Sequence, residues 1–380
     1  MAFLTPILED KGFSGIQIGL LSGVKYLAVI VFQSAIAIYC DKHPGKYTLK
    51  VAMEIMAVIS IGAAFSLYVA DSSFVRAIVI FILYGATVNC ICPLIESLSL
   101  KHLDSGRTFH YGASRASGSF AWAIACVGLG FVADRYGNDK ILLVQIAFTL
   151  IFIAIGLWID PVKEVEKTEE SESLQSSHSS FYLLTHYHKY MFYLLECVFI
   201  FFGFTLNGTF LIDKFVALGG GAGEYGIANF VLALSEIPAA IFITKLRKRF
   251  SIEQLMLCCS VFCTLRVAAV TFAPTVSLMI LGELFELGGM SLYYAASLYL
   301  VQEFLPKEDV VKGMSFINVA SMGIGEAVAS FISGALLEFW GHQNLLICSV
   351  VVTAISIVFG VAMLADQSRG VAKRLVKKNS

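Results

Sequence analysis

Ten charged side chains stand inside long apolar stretches of this 380-residue chain: Lys25, Glu54, Glu96, Arg115, Glu196, Glu236, Arg266, Glu283, Glu286 and Glu326. A charge so placed is costly unless it meets an opposite charge or a wet cavity. Seven carboxylates outnumber three cations, so some of the carboxyls are expected to hold protons, which is the chemistry such groups can do. Arg115 lies near the start of an apolar stretch over 111–133. At a period of 3.6 it shares a stripe with Ser119, Trp122 and Cys126, while Ser114, Gly118, Ala121 and Ala125 make a second stripe of small residues beside it. Small residues four apart admit a close neighbouring helix. The other stripe offers a guanidinium and an indole on which a ring could stack.

Glu96 follows Pro93 by three residues, and the proline frees the carbonyl of Asn89, which falls on the same helix face. Across a short loop Glu96 and Arg115 come to similar depth and can pair, either around a ligand or as a lock between two helices. Further along, Glu236, Arg266, Glu283 and Glu286 all fall roughly 9–15 Å from one membrane face, with Glu326 near the midplane, so the five are expected to form one cluster. Glu283 and Glu286, three apart, should titrate as a pair that holds a proton unless Arg266 intervenes. A plain Arg–Glu bridge is the competing reading. Glu54 and Glu196 stand close to helix ends and are expected to reach water.

The elements that position these groups follow from composition. The chain is 57% hydrophobic and 14% charged, with mean hydropathy +0.78, as in a polytopic membrane protein. Apolar spans are expected at about 15–40, 47–70, 77–99, 111–133 and 141–160, and again at about 191–212, 227–245, 253–272, 277–304, 314–338 and 345–365. Residues 1–7 reach only roughly 10 Å, and read as the tail of a truncated first span, not a signal peptide. Between the sets lies PVKEVEKTEESESLQSSHSS, too polar to fold. The expected domains are a first six-helix bundle (1–160), a linker (161–188), a second bundle (189–366) and a basic tail (367–380). Gly130-Phe-Val-Ala-Asp134-Arg-Tyr-Gly137 and Gly334-Ala-Leu-Leu-Glu338-Phe-Trp-Gly341 close matching spans, which suggests an internal duplication. Nineteen lysines and arginines fall on the linker side of the spans, against Lys11, Arg76, Arg135, Lys140 and Lys214 opposite, so the linker and C-terminus are expected in the cytoplasm.

The fold class expected is therefore all-α, with two pseudo-symmetric six-helix bundles. Nine scattered cysteines and seven histidines confined to loops and helix ends leave no cofactor or metal site to expect, and nothing points to nucleic acid. An integral-membrane enzyme would need a nucleophile, ligand set or histidine within a span, and none is visible.

The chain resembles the major facilitator superfamily, in the branch containing lactose permease, nucleoside symporters and the phenylpropionate permease. Glu96 followed by YGASRASGSFAWA carries that resemblance most specifically. It implies that Glu96 and Arg115 bind substrate as a pair, that Trp122 stacks on it, with Asn89 and Ser119 beside them, and that Glu236 and Arg266 serve recognition or proton coupling. The pattern departs on the tenth span, where Phe285 and Gly288 replace a coupling histidine and glutamate and the carboxylates move to Glu283 and Glu286. The superfamily's cytoplasmic gating motif is matched loosely by Asp41, Lys42, Gly45 and Lys46. These readings lead to an expected monomeric carrier of the cell membrane, coupling a small polar solute, sugar-like or nucleoside-like, to protons. Uptake or exchange of an aromatic or other organic acid without proton coupling, or a non-transporting solute sensor of the same fold, stays open beside it.

Overall fold

The computed structural model describes residues 3–43, 45, 47–69, 73–104, 111–159 and 179–379. Every regular element among them is helical. The first half holds α1 (Leu4–Asp10), α2 (Gly15–Lys42), α3 (Thr48–Val69), α4 (Phe74–Asp104), α5 (Tyr111–Tyr136) and α6 (Lys140–Trp158). The second begins with short α7 (Ser180–His186), then α8 (His188–Thr209), short α9 (Leu211–Ala217), α10 (Ala222–Leu246) and α11 (Ile252–Phe272). α12 (Val276–Gly282) passes through a 3-10 segment, Glu283–Gly288, into α13 (Met290–Phe304). α14 (Val310–Asn318) passes through a π segment, Val319–Val328, into α15 (Ala329–Trp340), and α16 (His342–Asn379) follows.

Eleven stretches among the described residues are long and apolar enough to cross a membrane, and they match the eleven full spans expected from the sequence. Two details differ. The end of the segment read as linker is helical, as α7, and the basic tail continues α16 instead of leaving it. Pro93 lies inside α4, which runs through it.

Local signals explain where helices start and stop. Ser14 and Ser251 open α2 and α11 with the same reciprocal cap: each hydroxyl accepts from the backbone N–H three residues on, and Gln17 or Gln254 accepts from the serine N–H in return. The duplicated motifs end alike, Gly137 at φ 95° and Gly341 at φ 81°, a left-handed stop that a side chain would strain.

The halves meet at the ends of the spans away from the linker. There one buried apolar cluster draws Phe3, Leu8, Phe13 and Phe81 from the first half together with Phe210, Phe215, Tyr225 and Met279 from the second. Separate apolar clusters fill the second bundle and the linker-side end of the first.

Candidate functional site

Two helix pairs sew the halves together, α2 with α15 and α5 with α10, by the same device. On the first seam Gly334 lies so close to Gly15 that a methyl on it would fall 2.0 Å from the Gly15 carbonyl oxygen, and a methyl on Gly19 would fall 2.6 Å from that of Ser330. On the second, Gly130 abuts Ala222 and Gly226 abuts Cys126. Small residues four apart make this approach possible, as in other intramembrane contacts. Each seam ends in a carboxylate at a helix N-terminus of the other half. Asp134 Oδ1 and Oδ2 accept from the backbone N–H groups of Ala222 (2.9 Å) and Gly223 (2.7 Å), and Glu338 Oε1 accepts from Ile16 (3.0 Å). The first N–H groups of a helix lack internal partners and carry partial positive charge, so each carboxylate fits there. The two repeated motifs are thus a matched pair of latches.

The next turn inward from each seam holds a further candidate residue. Trp122 lies four residues from Cys126, on the face that meets α10, and is 44% exposed. Glu326 holds the matching position, four residues from Ser330, and is half-buried in the π segment. Its charge interacts with that of Lys25 in α2. Lys25 is buried, with its ammonium 4.2 Å from the centre of the Tyr26 ring. Lys25 and Glu326 belong to different halves, so this electrostatic interaction crosses the junction.

A second charged group lies within the second half. Arg266 (α11) donates through Nε to Glu283 Oε2 at 2.6 Å, and Glu286 Oε2 stands 3.7 Å away. The guanidinium carbon lies 4.5 Å from the centre of the Phe204 ring, a cation–π contact. All three ionisable groups are buried. Glu236 of α10 is half-buried and close enough to act electrostatically on Glu286. The 3-10 geometry brings the two carboxylates together, because side chains three apart eclipse in it. Three of the five expected residues therefore meet, and Glu236 acts on one of them electrostatically. Glu326 lies apart from them: its π segment packs against α2 and α8, and the charge it interacts with is that of Lys25.

The remaining expected residues are placed as follows. Glu96 and Asn89 are half-buried on α4, and Ser119 is half-buried on α5, one turn before Trp122. The side chain of Arg115 lies outside the described residues, as do that of Asp41 and all of Lys46. Lys42 is exposed in the last turn of α2, and the Gly45 carbonyl accepts from Thr48 N–H in the turn that follows. Glu196, expected to reach water, does not. It is 1% exposed and accepts from Ser260 Oγ, because α11 and Gly360 of α16 cover it. Glu54 is half-buried, and one of its oxygens is enclosed beside Gly156 of α6 instead of reaching solvent. The sequence reading gave Lys25 no role. No local signal points to it: the run Gly15, Gly19, Gly23 marks the α2 face that packs on the other half, but at a period of 3.6 that face continues to Tyr26, with Lys25 well to one side.

The geometry has counterparts in known proteins. A family model described as "MFS_1 like family" matches residues 1–348. The chain belongs to the MFS_1-like family of the major facilitator superfamily. This family member is 23% identical over 348 residues to a maltose permease of Geobacillus stearothermophilus, covering 87% of this chain and 82% of that relative. Its fold superposes on crystal structures of the nucleoside transporter NupG. A mutant form of NupG gives a TM-score of 0.79 at 14% identity over 95% of this chain and 97% of the other; a second NupG structure gives 0.73 at 16% identity over 96% of each. The MFS_1-like chain is thus an integral membrane protein with a transporter fold, related to solute transporters.

Outside the spans, the far-side surface of this family member carries carboxylates from both halves. Partial burial, then the charges of Asp213 in α9 and of Asp10, push Glu9 up from 4.5 to about 7. Burial pushes Asp213 up from 3.8 to about 6, against the pull of His342. Opening the far side would hydrate both groups and return them toward their ordinary values, so the closed arrangement binds more protons. Closure is therefore strongest below about pH 4 and weakens as pH rises through about 7. Spin labels introduced by Tyr136→Cys and Val216→Cys, both exposed positions, are expected to show a growing far-side separation between about pH 4 and about pH 7. The added Glu9→Gln change should flatten that response.

Proposed function

We propose that this protein moves a small polar organic solute, sugar-like or nucleoside-like, across the cell membrane with protons, by rocking its halves about the space inside the two seams. What supports this reading is the placement of Lys25 and Glu326: opposite charges on helices of the two halves that pack together, close enough to interact electrostatically. Opposite charges on two halves that must part during rocking suit a coupling role. Trp122 at the matching position supplies an apolar face for a ring, and Glu96, Asn89, Ser119 and Arg115 complete the proposed substrate wall. The Arg266–Glu283–Glu286 group with Glu236 is the proposed proton site. Two carboxylates that share one guanidinium leave a negative charge that a proton can neutralise. The names of the maltose permease relative and the NupG neighbours support the solute class, and the distribution of lysine and arginine supports a cytoplasmic linker and C-terminus.

The test is uptake of radiolabelled maltose and uridine into proteoliposomes under an inward proton gradient. Glu326→Gln is expected to reduce uphill uptake on the order of a hundredfold, the kinetic equivalent of about 3 kcal/mol, while counterflow of the same solute persists. Uptake indifferent to the proton gradient would reject the coupling. Unchanged uphill uptake in Glu326→Gln would remove the pair from the mechanism.

A further inference from the structure

On the flank of the second half, α10, α11 and the 3-10 segment enclose a groove of 640 Å³, a size typical of small-molecule sites. Its wall is almost wholly carbon, with Phe242, Phe250, Cys258, Phe262 and Leu287 among the lining residues. Phe242, Phe250 and Leu287 are 47%, 48% and 45% exposed, so the groove opens sideways toward the bilayer. From the α10–α11 turn to Phe262 it extends about 15 Å at helical rise, half of a hydrocarbon core of about 30 Å. It therefore occupies the depth of one leaflet, the one on the linker side.

The mouth of the groove is basic. The α10–α11 turn carries Lys245, Arg247, Lys248 and Arg249, next to groove residue Phe250. Arg247 is engaged, with Nη2 3.1 Å from Glu303 Oε2 and its guanidinium 4.3 Å from the Tyr299 ring centre. Lys245 lies over Phe242, 5.3 Å from the ring centre, at the groove edge. Lys248 and Arg249 are exposed, and among the described residues they make no side-chain hydrogen bond or ion pair. An apolar slot one leaflet deep beneath uncompensated positive charge matches a molecule with a long hydrocarbon chain and an anionic head. We propose that this groove binds one anionic phospholipid of the linker-side leaflet, with an acyl chain against Cys258, Phe262 and Leu287 and its phosphate at Lys248 and Arg249. The site is separate from the proposed solute path and stands whether or not that path is used as described.

Native mass spectrometry of the full chain in detergent tests this, with equal amounts of phosphatidylglycerol and phosphatidylcholine of matched chains. The wild type is expected to retain one phosphatidylglycerol at least about tenfold more readily than phosphatidylcholine, since each basic residue near a headgroup contributes about fivefold. The variant K248A/R249A, altered only on an exposed turn, should lose that preference while still retaining either lipid. Cys258→Trp, which fills the groove and leaves the charges in place, should reduce retention of both lipids. Equal retention by the wild type, a preference that survives K248A/R249A, or full retention in Cys258→Trp would each overturn the proposal. The two variants act at opposite ends of the ligand, so misfolding of one leaves the other decisive.

Discussion

Arg266→Ala is expected to destabilise the folded protein by about 3–5 kcal/mol, among the largest effects of any single substitution here. The guanidinium is buried, donates to Glu283 at 2.6 Å, stands 3.7 Å from Glu286 and packs on Phe204. Its removal leaves two buried carboxylates, 1–2% exposed, facing each other without a cation. That uncompensated burial, more than the lost attraction of the pair, makes the effect large. The measurement is the thermal midpoint of the detergent-solubilised protein. A triple variant, R266A/E283Q/E286Q, should recover much of the loss, because neutral amides tolerate the same site. Absence of recovery would show that the loss comes from packing on Phe204 rather than from charge.

The second large effect concerns the seams. In the double variant D134A/E338A, both carboxylate caps on α10 and α2 disappear, each worth about 1 kcal/mol as a cap with a further 0.3–1 kcal/mol from the helix dipole. Together that is about 3 kcal/mol, on the order of a hundredfold shift away from the far-side-closed arrangement. Cys126 reports it directly: its side chain is 4% exposed and its backbone packs against Gly226 on the seam. Labelling of Cys126 by an impermeant maleimide, followed peptide by peptide, should rise steeply in the double variant. A smaller rise is expected in each single variant. Asp134→Asn should fall between Ala and wild type, since the amide oxygen still accepts but the charge is gone. Labelling unchanged in the double variant would mean that the apolar cluster alone, around Phe3, Phe210 and Tyr225, holds the far side shut.

Much of the architecture was legible because membrane insertion is a local constraint. A run of about twenty apolar residues must become a helix in lipid, whatever its neighbours, so the eleven full spans could be placed from hydropathy. The duplication was legible for the same reason: a glycine stop after a fixed run, at Gly137 and again at Gly341, follows from backbone conformation at those positions. The meeting of Arg266, Glu283 and Glu286 was also within reach, since depth along each helix put them level.

Pairings between elements were not legible. Asp134 and Glu338 were visible as a repeated motif, but the helix end each one caps belongs to the other half, more than eighty residues away in the first case and more than three hundred in the second. Glu196 looked wet from its place near the start of α8, because distance along one helix says nothing about Ser260 and Gly360 folding over it. Depth alone placed Glu326 level with the Arg266 group, and it could not show that the π segment packs on α2, which brings Glu326 within electrostatic reach of Lys25.

By itself, then, the chain determined which segments lie in the membrane, where they stop, and which charges lie within them, because those outcomes depend on hydration and backbone geometry within a few turns. The tertiary structure alone decided which charge meets which, because a partner is chosen by helix rotation and packing between residues distant in sequence.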